Sequence, residues 1–85
     1  MPSGTKTVPR SADLAVALIL AAEKRRQGMT QETLARMVGV SQSQVSRVLG
    51  GHKPMTMGEM FRMCKALGLV ASDVVEQADR ETRAR

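Results

Sequence analysis

Between Ser41 and Gly50 the chain reads SQSQVSRVLG, and its polar side chains are of types that bind rather than catalyse. Gln42 and Gln44 each carry an amide that both donates and accepts, Ser43 and Ser46 carry hydroxyls, and Arg47 carries a planar fork of donors. Val45, Val48 and Leu49 fall on the opposite side of the same short helix. A face kept only for solubility is more often built from Glu and Lys. Here Arg47 is the one charge, and no carboxylate is present to repel an anionic partner. The remainder of the sequence offers no catalytic set, because neither a His nor an acid accompanies the single cysteine, Cys64, as a nucleophile would require. One Cys and one His exclude a structural zinc knuckle and an intrachain disulfide. The expectation is therefore a binding protein with no cofactor and no metal, suited to a reducing compartment and so to the cytoplasm.

Charge is unevenly spread over the 85 residues, whose formal net charge is +5. Residues 1–68 hold ten Lys or Arg against Asp13, Glu23, Glu32 and Glu59. Residues 69–85 hold Arg80, Arg83 and Arg85 against Asp73, Glu76, Asp79 and Glu81. The front of the chain suits a polyanion, and equally fits a basic surface with no partner. With Phe61 as the sole aromatic, modules that stack unpaired bases on aromatic platforms are excluded. The segment up to Arg26 has the outline of a secretory signal, but its apolar run Leu14–Ala22 is far short of the ~20 residues that span a bilayer. Asp13 abuts that run, and cleavage after it would remove a helix the rest of the chain needs.

Caps and periodicity then give the elements that must position the polar face. Residues 1–10, with two prolines and a glycine, read as a flexible basic arm. A first helix is expected from about Ser11 to Gln27, with Arg25 and Arg26 suiting its C-terminal dipole. Thr30 caps a second helix that Gly39 closes, and Ser41 caps a third, with Gln44 at capping-box spacing, that ends at Gly50-Gly51. Thr56 and Glu59 form a second box, opening a fourth helix that runs to Leu67. A fifth starts near Ser72 and frays after residue 79, leaving residues 80–85 as a tail. No stretch alternates with period two long enough for a strand. The fold class expected is all-α: one compact five-helix domain over residues 11–79. In helix four the stripe Met57, Met60, Cys64 and Leu67, with Phe61 and Met63 beside it, reads as the buried face. Helix one carries two stripes, Leu14-Leu18-Ala21 and Val16-Ile19-Leu20. One should cover the core. The other, with Val70, Val74 and Val75, supplies either further core or a dimer surface.

Only Gly39 and Val40 separate Val38 from Ser41, so the chain turns sharply there. Ala35, small and one turn before Gly39, allows the next helix to approach, and Val45 fills the angle above Leu34 and Val38. This is the layout of a helix-turn-helix over residues 30–49. The run from Thr30 to Arg47, TQETLARMVGVSQSQVSR, with KALGL at Lys65–Leu69, resembles the Cro/cI-type (lambda-repressor-like, XRE) helix-turn-helix family. The resemblance extends from Met29 to about Val75 and departs from the family pattern at Leu49, where a Glu is common, and at Val70. It implies double-stranded DNA as partner and a third helix lying in the major groove, where glutamine matches adenine, arginine matches guanine and serine either. It implies base contacts by Gln42, Ser43 and Arg47, with Ser46 beside them, and a phosphate contact by Gln31, which could also brace Gln42. Gln44 and Lys53 are further phosphate candidates; His52 reads both as such a contact and as a merely exposed residue. Arg10 and Lys6 either grip the duplex from the arm or are incidental charge. The function implied is a transcriptional regulator, a repressor binding a pseudo-palindromic operator as a homodimer, with Val70, Val74, Val75, Leu14 and Leu18 as dimer candidates. The alternative from a different class is an antitoxin or adaptor that chiefly holds a partner protein.

Overall fold

The structure is a computed structural model that describes the backbone of residues 2–83 and the side chains of residues 12–83. Five helices follow in order: α1 Pro2–Arg26, α2 Gln31–Val38, α3 Gln42–Leu49, α4 Met57–Leu67 and α5 Ala71–Arg83. No strand occurs among the described residues, and no helix is long and apolar enough to cross a membrane. The all-α expectation and the order of the helices hold.

Three of the helices begin as their cap residues require. Thr30 Oγ1 accepts from Thr33 N at 3.0 Å, Ser41 Oγ from Gln44 N at 3.1 Å, and Thr56 Oγ1 from Glu59 N at 3.0 Å. Each takes one of the amide donors that a helix start leaves unpaired. The box at Thr56 is complete, since Glu59 Oε1 accepts from Thr56 N at 3.0 Å. The box expected at Ser41 is half made. Gln44 does not turn back to Ser41 N, because its amide has found stronger, charged partners described below.

The helices enclose one core whose fully buried side chains are Leu20, Leu34, Val45, Val48, Met63 and Cys64. α1 and α5 lie side by side; Ala15, Ala17, Leu20 and Ala21 present the buried face of α1, and Val74 and Ala78 that of α5. α2, α3 and α4 close the other side through Leu34, Ala35, Val38, Val45, Val48, Met60 and Met63. At about 1.5–3 kcal/mol for each large apolar side chain buried, this core is what holds the short α2 and α3, which would not be helical in isolation. Gln27 at the end of α1 donates to the Leu67 carbonyl (2.7 Å) and to Glu23 Oε2 (2.7 Å), joining α1 to the last turn of α4. The Arg26 guanidinium and then Gln27 hold the Glu23 carboxyl down at about 2.

Several expectations are corrected. α1 starts at Pro2, so residues 2–10 continue the helix and do not form a separate arm. Pro2 suits the first position of a helix, and the helix continues through Pro9 at the cost of one backbone N–H donor. α5 likewise starts at Ala71 and runs to Arg83, through the segment expected to fray. Its i,i+4 pairs Glu76–Arg80 (3.6 Å) and Asp79–Arg83 (3.1 Å) lie on that last stretch. Val74 is buried and so is no dimer candidate. In α4 the buried arc holds Met60, Met63, Cys64 and Leu67; Phe61 lies about 100° round from Met60 and Met57 stands at the first position of the helix, and both are exposed. In α1 the stripe that faces the core contains Leu20, while Leu14 and Leu18 face outward.

Candidate nucleic-acid interface

The turn between α2 and α3 sets the interface. Gly39 has φ 85°, the left-handed conformation glycine adopts without steric penalty. Its N–H and that of Val40 both donate to the Ala35 carbonyl, at 2.8 and 3.1 Å. The chain thus leaves α2 and re-enters α3 within three residues, with Val45 fully buried in the angle. α3 ends as firmly as it starts. Gly51 N donates to the Val48 carbonyl (3.2 Å) and His52 N to that of Arg47 (2.9 Å), the paired closure in which a left-handed residue reverses the chain. Gly51 has φ 80°, and a Cβ there would lie 2.5 Å from Leu14 Cδ2. Gly51→Ala should therefore cost about 1–3 kcal/mol in denaturant unfolding, combining left-handed strain with displacement of Leu14. A variant as stable as the wild type would show that α1 does not press on this turn.

With both ends fixed and Val45, Val48 and Leu49 buried, the opposite face of α3 is determined. Gln42, Ser43, Ser46 and Arg47 are all exposed on it. The Ser43 hydroxyl lies 3.4 Å from that of Ser41. The side chains of Gln42, Ser46 and Arg47 have no hydrogen-bond partner among the described residues, so their donors and acceptors are open to a ligand. Gln31 is half-buried at the start of α2, and no hydrogen bond links it to Gln42 among the described residues. His52 and Lys53 are exposed just past α3, where with Asp13, Leu14, Pro54 and Met55 they line a shallow hollow of about 230 Å³. The side chains of Arg10 and Lys6 lie outside the described residues.

Gln44 is differently placed. It donates Nε2 to Glu59 Oε2 at 2.8 Å and accepts from Lys53 Nζ at Oε1, also at 2.8 Å. Both ends of its amide are occupied, which counts against its expected phosphate contact. Glu59 is the buried charged residue of the core margin. Its carboxyl is held below the usual carboxylate range by the Thr56 backbone N–H, then by the Gln44 amide, against a smaller cost of burial. The sequence locates Glu59 only as a cap; its second oxygen was the missed signal, since a boxed glutamate has one oxygen left to bind elsewhere.

Among the described residues no three His, Cys, Asp or Glu side chains come together as a metal site. Cys64 is buried in the core, and that burial pushes its thiol up, away from the reactive thiolate form.

Known proteins agree with this geometry. Residues 20–74 match the family described as helix-turn-helix. No curated protein sequence matches the chain. Among solved structures, the clp gene regulator ClgR from Corynebacterium glutamicum is similar, with a TM-score of 0.77 and 25% identity over 86% of this chain and 78% of that one. The sharp turn at Gly39, the capped α3 with its open polar face and the match across more than half its length together make the chain a member of the Cro/cI-type (XRE) helix-turn-helix family.

Proposed function

We propose that the protein is a sequence-specific regulator of transcription, a repressor that binds double-stranded DNA in the cytoplasm as a homodimer. The observation that carries this reading is the face of α3: four exposed hydrogen-bonding residues, no carboxylate, and a helix fixed at both ends by the core. Gln42, Ser43 and Arg47 read base edges in the major groove, with Ser46 at the margin. Gln31 and Lys53 hold phosphates, with His52 beside them. The similar solved structure is that of a gene regulator, which agrees with this role.

A single module of this size makes few base contacts, and a two-fold dimer on two half-sites multiplies them. The surface best suited to the partner copy lies on α4 and α5. Met57, Phe61 and Val75 are exposed there, around a groove of about 510 Å³ also lined by Met60 and Ala71, with Glu76 and Asp79 at its rim. Val75 was a candidate from sequence, while Met57 and Phe61 replace Val74. Val70 lies apart, in a second groove with Ile19 and Asp73. Selection of bound sites from random duplexes should return a pseudo-palindrome with half-sites about one helical turn, ~34 Å, apart. Phe61→Glu should leave the fold intact and convert that footprint to weak occupancy of single half-sites. Recovery of an unrepeated half-site by the wild type, with one protein per duplex, would refute the dimer.

A second reading, an adaptor or antitoxin that mainly holds another protein, is favoured by Leu14 and Leu18 on the outer face of α1. It requires that Leu18→Glu abolish regulation while DNA affinity stays unchanged.

A further inference from the structure

Glu59 has no place in the groove, yet it touches the recognition helix. Its Oε1 completes the cap of α4 on Thr56 N, and its Oε2 accepts from Gln44 Nε2. That second bond has a chemical consequence. A carboxylate can only accept, so it selects the NH2 end of the Gln44 amide. The carbonyl end must then point the other way, where it meets the Lys53 ammonium at 2.8 Å. The chain of bonds runs from a 6% exposed carboxylate to an exposed cation on the loop after α3. Lys53 would otherwise be a long, freely rotating side chain. An ammonium has three donors, and this arrangement uses one, leaving the others for a phosphate.

We propose that Glu59 is a positioning residue for DNA binding: acting through Gln44, it holds Lys53 at the flank of the recognition helix, ready for the DNA backbone. The inference rests on the DNA-binding reading above. It assigns Gln44, too, an internal role in place of a ligand contact.

The test is Glu59→Gln in the full chain. Gln still satisfies the capping box, since its carbonyl oxygen can accept from Thr56 N. Its NH2 then faces Gln44, whose amide must turn its carbonyl inward and its NH2 towards Lys53, repelling the ammonium. Duplex affinity is measured by fluorescence anisotropy at several salt concentrations, on the selected site and on a mixed-sequence duplex. Glu59→Gln should weaken both about three- to tenfold and reduce the salt slope by about one for each phosphate that is no longer neutralised. Lys53→Ala should do the same, and the double variant should be no weaker than Lys53→Ala alone. Gln44→Met, which leaves the cap untouched, should reproduce the effect and serves if Glu59→Gln is poorly folded. Unchanged affinity and slope in Glu59→Gln or Gln44→Met, or losses that simply add to that of Lys53→Ala, overturn the proposal while leaving DNA binding intact. A wild-type chain with no affinity for any duplex would instead sink the DNA-binding reading, and this inference with it.

Discussion

Arg47→Ala is expected to cost ~1–3 kcal/mol per half-site and to relax sequence preference at one base pair. Arg47 is exposed on α3 opposite Val45 and Val48, and no acid holds its guanidinium among the described residues. Its donor fork matches the O6 and N7 acceptors of guanine in a way that a point charge does not. In the proposed dimer both protomers would carry the change, so the loss on the full site should be about twice that for a half-site. Gln42→Ala should behave alike but at a different base pair, because Gln42 sits more than a turn earlier. Binding to single-base variants of the selected site, at two salt concentrations, separates the outcomes. Should Arg47→Ala keep every base preference and change only the salt dependence, Arg47 is a phosphate clamp and α3 does not read the groove as described.

Leu20→Ala is expected to lower stability by ~2–5 kcal/mol, the range for removing a buried leucine whose surroundings cannot collapse. Leu20 is fully buried in the cluster that joins α1 to α2, α3, α4 and α5. Against a typical domain stability of ~5–15 kcal/mol, such a loss leaves a measurable unfolded fraction on warming. Leu18→Ala, two residues away but 60% exposed, should change stability by less than about 0.5 kcal/mol. Urea unfolding of the two variants provides the check. Equal losses would mean that α1 buries a different face.

The contrast between Leu18 and Leu20 also marks how far the sequence could be read. The helix-turn-helix was legible because its signals are local. Thr30, Ser41 and Thr56 accept from the amide three residues on, and Gly39 and Gly51 turn the chain where a side chain would strain it. The exposed side of α3 followed from its apolar residues. Which stripe of α1 faces inward was not legible, since both are apolar and the choice depends on α5. The same limit applies to Met57 and Phe61, where a methionine-rich helix blurs the edge of its buried arc. Gln44 shows a different limit. Its spacing from Ser41 suggests a box, but its partners Glu59 and Lys53 are 15 and 9 residues away, brought near only by the folded chain. A local pattern could not reveal that a more strongly charged acceptor would win the amide.

The pairing of α1 with α5 has a consequence for how the protein can be switched off. Val74 and Ala78 are core residues contributed by the last helix, and they lie beside α1 across a loop that takes in all of α2, α3 and α4. Because Val74 belongs to the same buried cluster as Leu20, Leu34 and Val45, α5 is part of the core that holds the DNA reader and not an appendage to it. A nascent chain cannot complete that core until α5 has left the ribosome. By the same token, a single protease cut near Val74 would dismantle the face formed by Gln42, Ser43 and Arg47 without touching it. Removal of α5 should therefore end DNA binding even with α2 and α3 intact.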